Sequence, residues 1–265
     1  MDIVQVVVLA IVQGLSEFLP ISSSGHLILV PHFLGWSDQG LAFDVAVHIG
    51  TLLAVLLYFR LQLMRMAFDW VGSAFHGRHT PDSRLAWAVL LGTIPVGVCG
   101  LLFAGFIEAN FRQPLFVACT LTGFGILLLL ADRLGGKRRD EYTLRWQDVA
   151  LIGCAQALAL MPGTSRSGIT MTAALSLGLT RSAAARFSFL LAVPGIAMAG
   201  GYEGLKLAVS TEAVDWTAMG LGVVVAALSG YACIHFLIRF IERIGMLPFT
   251  VYRILLAAVI VVVFA

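Results

Sequence analysis

Residues 161–170 read Met-Pro-Gly-Thr-Ser-Arg-Ser-Gly-Ile-Thr and set Arg166 among Thr164, Ser165, Ser167 and Thr170 inside an apolar stretch. A guanidinium at bilayer depth costs at least about 2.5–3.5 kcal/mol on insertion scales, so such a residue marks a functional site by default. Pro162, Gly163 and Gly168 break the helix around it. Arginine, hydroxyls and free backbone N–H groups together are phosphate-binding chemistry. A second segment, Gln13 to His26, reads Gln-Gly-Leu-Ser-Glu-Phe-Leu-Pro-Ile-Ser-Ser-Ser-Gly-His. Gln13 and Glu17 are i and i+4 and share a helix face. Glu17 and His26 flank the hydroxyls of Ser22, Ser23 and Ser24, a general acid/base set beside candidate nucleophiles. Each member has a plainer reading alone: Glu17 as a helix-end carboxylate at the interface, His26 as a hydrogen-bonded structural imidazole, Ser22 or Ser24 as a helix cap. An acid and an imidazole set opposite an arginine suit phosphoryl transfer, which depends on positioning and charge stabilisation.

The elements that must position these groups are membrane helices. Of 265 residues, 59% are hydrophobic and only 12% charged, against about 25% charged in a soluble domain. No basic residue precedes Arg60, so no secretory signal is expected and the first apolar segment stays as structure. Cys99, Cys119, Cys154 and Cys233 lie in apolar segments without metal-site spacing and read as lipid- or core-facing thiols. Five segments are long enough to span a bilayer, about 41–59, 85–107, 114–131, 183–202 and 217–238, and 249–265 is just long enough. The stretches 2–35 and 147–177 are interrupted by the two motifs. Each reads as two short helices around a polar break, a re-entrant hairpin, because irregular backbone at this depth must be buried in protein or line a wet cavity.

The two breaks match at an offset of 143 residues: Gln13 with Gln156, Ser22 with Ser165, Ser24 with Ser167, Gly25 with Gly168. Three spans follow each. If 147–177 returns to the side it left, fourteen basic residues fall on the cytoplasmic side (Arg60, Arg65, Arg78, Arg84, Arg133, Lys137, Arg138, Arg139, Arg145, Arg181, Arg186, Arg239, Arg243 and Arg253) and two, Arg112 and Lys206, outside. Three spans per half invert the second half relative to the first and place residues 1–40 and the C-terminus outside. The expected fold is an all-α integral membrane protein, a single transmembrane domain over 1–265. It comprises six spans and two re-entrant hairpins in an inverted repeat of about 1–133 and 146–265.

The first motif resembles the (E/Q)xxxE and Ser/His segment of the bacterial undecaprenyl-diphosphate phosphatases, and MPGTSRSGIT resembles that family's PGxSRSxxT motif. The resemblance covers essentially the whole chain. It implies hydrolysis of undecaprenyl diphosphate to the monophosphate, which recycles the lipid carrier for peptidoglycan synthesis. It also implies a multi-pass protein of the bacterial inner membrane, a site opening to the periplasm, and a divalent cation, Mg²⁺ or Ca²⁺. By motif position it makes Glu17, Ser23, His26 and Arg166 the catalytic residues. Gln13, Ser22, Ser24, Gly163, Thr164, Ser165, Ser167 and Thr170 then bind substrate around them, with Glu17 a metal ligand. Gln13 stands at the first acidic position, leaving one carboxylate in the motif. Magnesium leans on one or two carboxylates plus substrate phosphates, so a cation carried in by the diphosphate suits the set. In the mechanism this suggests, Ser23 or a water attacks the terminal phosphorus, His26 moves the proton, and Glu17 orients His26 or binds the cation. Membrane lipids are the expected surroundings, a homodimer is compatible with this reading, and no nucleic acid is expected.

Asp44 and His48, another i, i+4 pair, read equally as a wall of this cavity or as a structural pair at the outer interface. Loops 60–84 and 132–146 read as solvated cytoplasmic connections whose basic residues set topology and meet anionic headgroups. Glu108, Glu203, Glu212 and Asp215 read as ordinary outer-side residues. Type 2 phosphatidic acid phosphatases share a Ser-Gly-His triplet, but no histidine follows Arg166 until His235. A polyprenyl-phosphate transporter is the alternative from another class, since broken inverted repeats build transporters; it has less use for Glu17 and His26 beside a serine run.

Overall fold

The computed structural model describes residues 1–111, 113–209 and 215–264. Arg112 and Glu212, expected in outer loops, lie outside the described residues, as do the side chains of Glu108 and Lys206. The described chain is helical: α1 (Ile3–Phe18), α2 (Ser23–Leu34), α3 (Gly40–Tyr58), α4 (Arg60–His76), α5 (Pro81–Asn110), α6 (Pro114–Leu134), α7 (Trp146–Ala157), α8 (Arg166–Ser176), α9 (Arg181–Val209), α10 (Trp216–Ile244) and α11 (Leu247–Phe264), with no strand among the described residues. Six of these, α3, α5, α6, α9, α10 and α11, are long and apolar enough to cross a membrane, and they are the six expected.

Local chemistry sets the helix starts. At α5, the Thr80 hydroxyl accepts the Ser83 N–H at 3.1 Å and the Ser83 hydroxyl accepts the Thr80 N–H at 2.9 Å, with Pro81 opening the helix. This satisfies two donors that the first turn cannot satisfy itself. At α7, Asp148 accepts the Arg145 N–H at 2.8 Å.

The interrupted stretches fold as α1–α2 and α7–α8. These helices have 16, 12, 12 and 11 residues. At 1.5 Å per residue they reach only about 16–24 Å, short of a ~30 Å hydrocarbon core. Glycines set how closely they pack. A Cβ on Gly14 of α1 would stand 2.8 Å from Ala226 O and Gly230 N of α10, and one on Gly50 of α3 would stand 2.8 Å from Ala226 Cβ. On the other side, a Cβ on Gly153 of α7 would stand 2.7 Å from Gly92 O of α5. Small residues let backbones approach where lipid offers no hydrophobic drive to associate. Consequently α1 packs on α10 and α7 on α5, while α3 packs on α9 and α6 on α11.

Two connections are more ordered than the sequence suggests. Residues 60–76 form helix α4, with Gln62, Met66 and Ser73 buried. It is held to α5 by a bond from Trp87 Nε1 to Ser73 Oγ of 3.0 Å. In 132–146, Arg139 donates to Leu177 O at 3.0 Å and also pairs with Asp148. Asp132, 2% exposed, accepts from Arg181 and from the Met246 N–H, tying α6, α9 and the start of α11 together. Hydrophilic letters here mark buried ion pairs as well as solvated loop.

Overpacking a close crossing typically costs about 1–3 kcal/mol. Gly14→Ala is expected to lower the thermal unfolding temperature of the purified protein in detergent. Gly72→Ala, where a Cβ meets nothing within 4 Å, is expected to leave it unchanged or raise it, since alanine suits a helix interior better.

Candidate functional site

Both breaks turn on a serine in a strained conformation. Ser22, before α2, has φ 74°, and Ser165, before α8, has φ 67°. A non-glycine residue there costs of order 1–3 kcal/mol and persists only where its surroundings enforce it. The two sit at equivalent positions of the 143-residue offset, and each hydroxyl lies 3.3 Å from the serine two residues on, Ser24 or Ser167. The breaks differ in one respect. Ser165 Oγ caps α8 by accepting the Gly168 N–H at 3.2 Å, whereas no side chain caps α2. The α2 N-terminus therefore presents its first-turn N–H groups and the positive end of its dipole without an internal anion.

The breaks meet through an ion pair. Arg166 donates to Glu17 Oε1 at 2.7 Å, with the two side chains 18% and 9% exposed. A second N–H of Arg166 donates to Ser188 O at 3.1 Å, which leaves other edges of the five-donor guanidinium available. Glu17 Oε2 accepts from Ser23 Oγ at 2.8 Å and from Gln13 Nε2 at 3.1 Å. Thus Gln13, Glu17, Ser23 and Arg166 form one connected cluster. Thr170 supports it from behind: its hydroxyl donates to Arg166 O at 2.8 Å and lies 2.7 Å from Ser188 Oγ.

His26 is placed differently from expectation. Its Nδ1 lies 2.7 Å from the Ser22 carbonyl, which can only accept, so Nδ1 carries the proton. Its Nε2 then accepts from Tyr252 Oη at 2.6 Å, and the two rings stack at 5.5 Å. The hydroxyl of Ser23 is paired with Glu17, so in this arrangement the base beside Ser23 is a carboxylate. Asp44 and His48 meet through the backbone of Asp44 and not through its carboxylate. Asp44 accepts from Gln39 at 2.9 Å, and His48 Nδ1 donates to the Asp44 backbone carbonyl at 2.7 Å.

Sequence reasoning missed Arg253, counted among the loop arginines. It is the seventh residue of α11 and fully buried at 0% exposure. Its guanidinium donates to carbonyls of both breaks and of α6: Pro20 at 3.3 Å, Gly163 at 3.1 Å, Thr164 at 3.0 Å, Leu121 at 2.9 Å and Thr120 at 3.4 Å. Ser167 Oγ adds a further tie by donating to Leu19 O at 3.0 Å. Gly163, at φ 85°, is the one residue type that fits its place, since a Cβ there would stand 2.7 Å from Val117 O. Its neighbour Pro162 accepts from Thr120 Oγ at 2.6 Å. The signal for Arg253 was available, because the argument from intramembrane charge that singled out Arg166 applies equally inside 249–265. Tyr252 and Ser188 carried no such signal.

The donors fit a protein-held cation poorly. Both oxygens of Glu17 are engaged by Arg166, Ser23 and Gln13. No group of three His, Cys, Asp or Glu side chains converges among the described residues. The buried Oε1 of Gln13 is the one oxygen in the cluster without a protein partner.

Removing the Arg253 donors strips several buried carbonyls at once, and hydrogen bonds to a charged group contribute about 1.5–3 kcal/mol each. Arg253→Met is therefore expected to lower the unfolding temperature in detergent markedly. Arg253→Lys, a point charge with three donors, is expected to recover only part of the loss.

Known proteins match this chain over nearly its whole length. The family model described as bacitracin resistance protein BacA matches residues 6–259. The undecaprenyl-diphosphatase 2 of Stutzerimonas stutzeri (strain A1501) is 60% identical over 268 residues, covering 100% of this chain and 99% of that protein. The undecaprenyl-diphosphatase of Nitrosococcus oceani is 58% identical over 265 residues, with 100% of both chains covered. That of Thioalkalivibrio sulfidiphilus is 54% identical over 265 residues, again covering 100% of both. A match running through both broken helix pairs and into the last span leaves no part of the site outside it, and the chain belongs to the BacA bacitracin resistance protein family.

Proposed function

We propose that this membrane protein hydrolyses undecaprenyl diphosphate to undecaprenyl phosphate and inorganic phosphate, recycling the lipid carrier of peptidoglycan synthesis. Relatives 54–60% identical over their full length carry the name undecaprenyl-diphosphatase. The observation that carries the chemistry is the chain of contacts Ser23–Glu17–Arg166 across the two breaks.

In this reading the terminal phosphate sits at the uncapped N-terminus of α2, against the unused N–H groups of Arg166. Glu17 takes the Ser23 proton as Ser23 Oγ bonds to the terminal phosphorus, and the bond from that phosphorus to the bridging oxygen breaks. Undecaprenyl phosphate leaves with the bridging oxygen. Glu17 passes its proton to the departing phosphate, takes one from the water that displaces Ser23 from phosphorus and returns it to the serine, giving inorganic phosphate. Before substrate arrives, Glu17 neutralises Arg166. The incoming diphosphate supplies the compensating negative charge and releases the carboxylate to act as base. His26, held by Ser22 and Tyr252, shapes the α2 turn that presents Ser23. Ser22, Ser24, Ser165, Ser167, Thr164 and Gly163 set the two turns that bound the phosphate. A divalent cation, Mg²⁺ or Ca²⁺, would be held mainly by the substrate, with Gln13 Oε1 as the free protein oxygen nearby, and would supply charge neutralisation.

The two broken pairs are re-entrant hairpins related by an inverted repeat of about 1–133 and 146–265. Their short helices, the matched strained serines and the reciprocal packing of α1 on α10 and α7 on α5 support this. Loop arginines favour a bacterial inner-membrane orientation with the site opening to the periplasm.

Purified protein in detergent micelles, where transport is meaningless, is expected to release phosphate from undecaprenyl diphosphate. No release from any polyprenyl diphosphate would overturn the enzyme reading and favour a carrier. Glu17→Gln keeps an acceptor for Arg166 but removes the base, and is expected to lower kcat by about 10²–10⁴-fold. Ser23→Ala is expected to lose at least as much, and rapid quench with labelled substrate is expected to trap phosphate on Ser23 in the unaltered protein. Substantial activity left in Ser23→Ala would assign the attack to water.

A further inference from the structure

Helix α4 is apolar on two sides. One side packs against the protein core through Leu63, Met66 and Trp70, with Gln62 and Ser73 buried beside them. The other carries Leu61, Met64, Phe68, Val71 and Phe75, between 45 and 83% exposed. Their spacing of 3, 4, 3 and 4 residues puts all five in one stripe on the helix, roughly opposite the packed side. An exposed apolar stripe of this size marks an interaction surface. Unlike the lipid-facing surfaces of the spans, it belongs to a helix that is not a candidate span.

Its location restricts what covers it. Only Phe59 separates α4 from the end of span α3, and residues 77–80 connect it to span α5. Its polar groups turn inward: Gln62 bonds Tyr142 Oη at 3.2 Å, Ser73 accepts from Trp87, and Asp69 accepts from Thr80. The helix is therefore tied between the end of α3 and the start of α5, among most of the loop arginines, with its stripe on the face opposite the packed residues. At 100° per residue Arg60 and Arg65 fall on the two edges of the stripe. Both are exposed, Arg60 donating to Leu57 O in its own turn and Arg65 standing 3.6 Å from Asp82.

We propose that α4 is an interfacial anchor for anionic lipid. Its stripe sinks to the boundary between headgroups and acyl chains, and Arg60 and Arg65 bond lipid phosphates on either side. The same 3-4 spacing also suits pairing with a second copy of the chain. A second α4, however, brings no free carboxylate to meet these arginines, since its one acidic residue, Asp69, accepts from Thr80, whereas an anionic leaflet supplies phosphates along both edges.

The test does not depend on phosphatase activity. Phe68→p-benzoylphenylalanine is introduced in the full-length chain, and the purified protein is irradiated in vesicles of phosphatidylethanolamine with phosphatidylglycerol. The expected product carries the added mass of one phospholipid. Arg60→Gln combined with Arg65→Gln is expected to reduce phosphatidylglycerol adducts several-fold and to leave adducts in phosphatidylcholine vesicles unchanged. A product of twice the chain mass would assign the stripe to a second copy. Absence of any adduct would mean that it faces water. Lipid adducts indifferent to both arginines would remove the anionic preference. Each of these three results overturns the proposal.

Discussion

A guanidinium inside a bilayer must be neutralised or have its donors fully occupied, and this chain places two there under opposite arrangements. Arg253 is surrounded by backbone carbonyls from both breaks and from α6. Among the described residues it has no carboxylate partner, and it is fully buried with its donors spent on carbonyls. Arg166 is neutralised by one carboxylate, retains partial exposure and keeps unused donors. The first holds the breaks together; the second carries the phosphate contact of the proposed function. Without the Arg253 carbonyl contacts, nothing else buried in α11 draws the Pro20 and Gly163–Thr164 turns to one point. The Glu17–Arg166 pair depends on that convergence.

The ion pair also explains how a site built for a highly charged ligand stays folded without one. A lone buried arginine would be costly, and a lone buried carboxylate would be costly in turn. Paired, they are near neutral, and in the proposed function the diphosphate exchanges for the carboxylate at little electrostatic penalty. The strained serines fit the same economy. Ser22 and Ser165 turn the chain sharply enough to aim a helix N-terminus and an arginine at one volume. The difference between the breaks then divides their labour. The Ser165 hydroxyl occupies the α8 N-terminus, whereas that of α2 stays free beside Ser23.

Much of this was legible in the sequence, and the misses have a common cause. Span positions follow from runs of apolar residues, so each expected span lies within a few residues of the helix observed. The broken stretches 2–35 and 147–177 correspond to helices ending at Leu34 and Ser176. Spacing also put Gln13 with Glu17, the matching break brought in Arg166, and the family resemblance picked Ser23 out of the three serines. Tertiary partners were what spacing could not supply. Nothing in the order of residues says that His26 faces Tyr252, 226 positions away, instead of Ser23. Arg253 was misplaced because a basic residue near the end of a span looks the same in sequence whether it turns outward or inward. Helix α4 was hidden by its charges, since a segment apolar on two narrow stripes and polar between them reads as a loop by composition.

The most direct measurement is an experimental structure of the protein in lipid with a non-hydrolysable methylene diphosphonate of a polyprenol. The account predicts the terminal phosphonate at the N-terminus of α2, bonded by Arg166, with Ser23 Oγ in line with the bridging carbon and Glu17 still within reach of Ser23. A diphosphonate bound away from α2, or Arg166 and Glu17 separated on opposite sides of the molecule with the breaks apart, would contradict it.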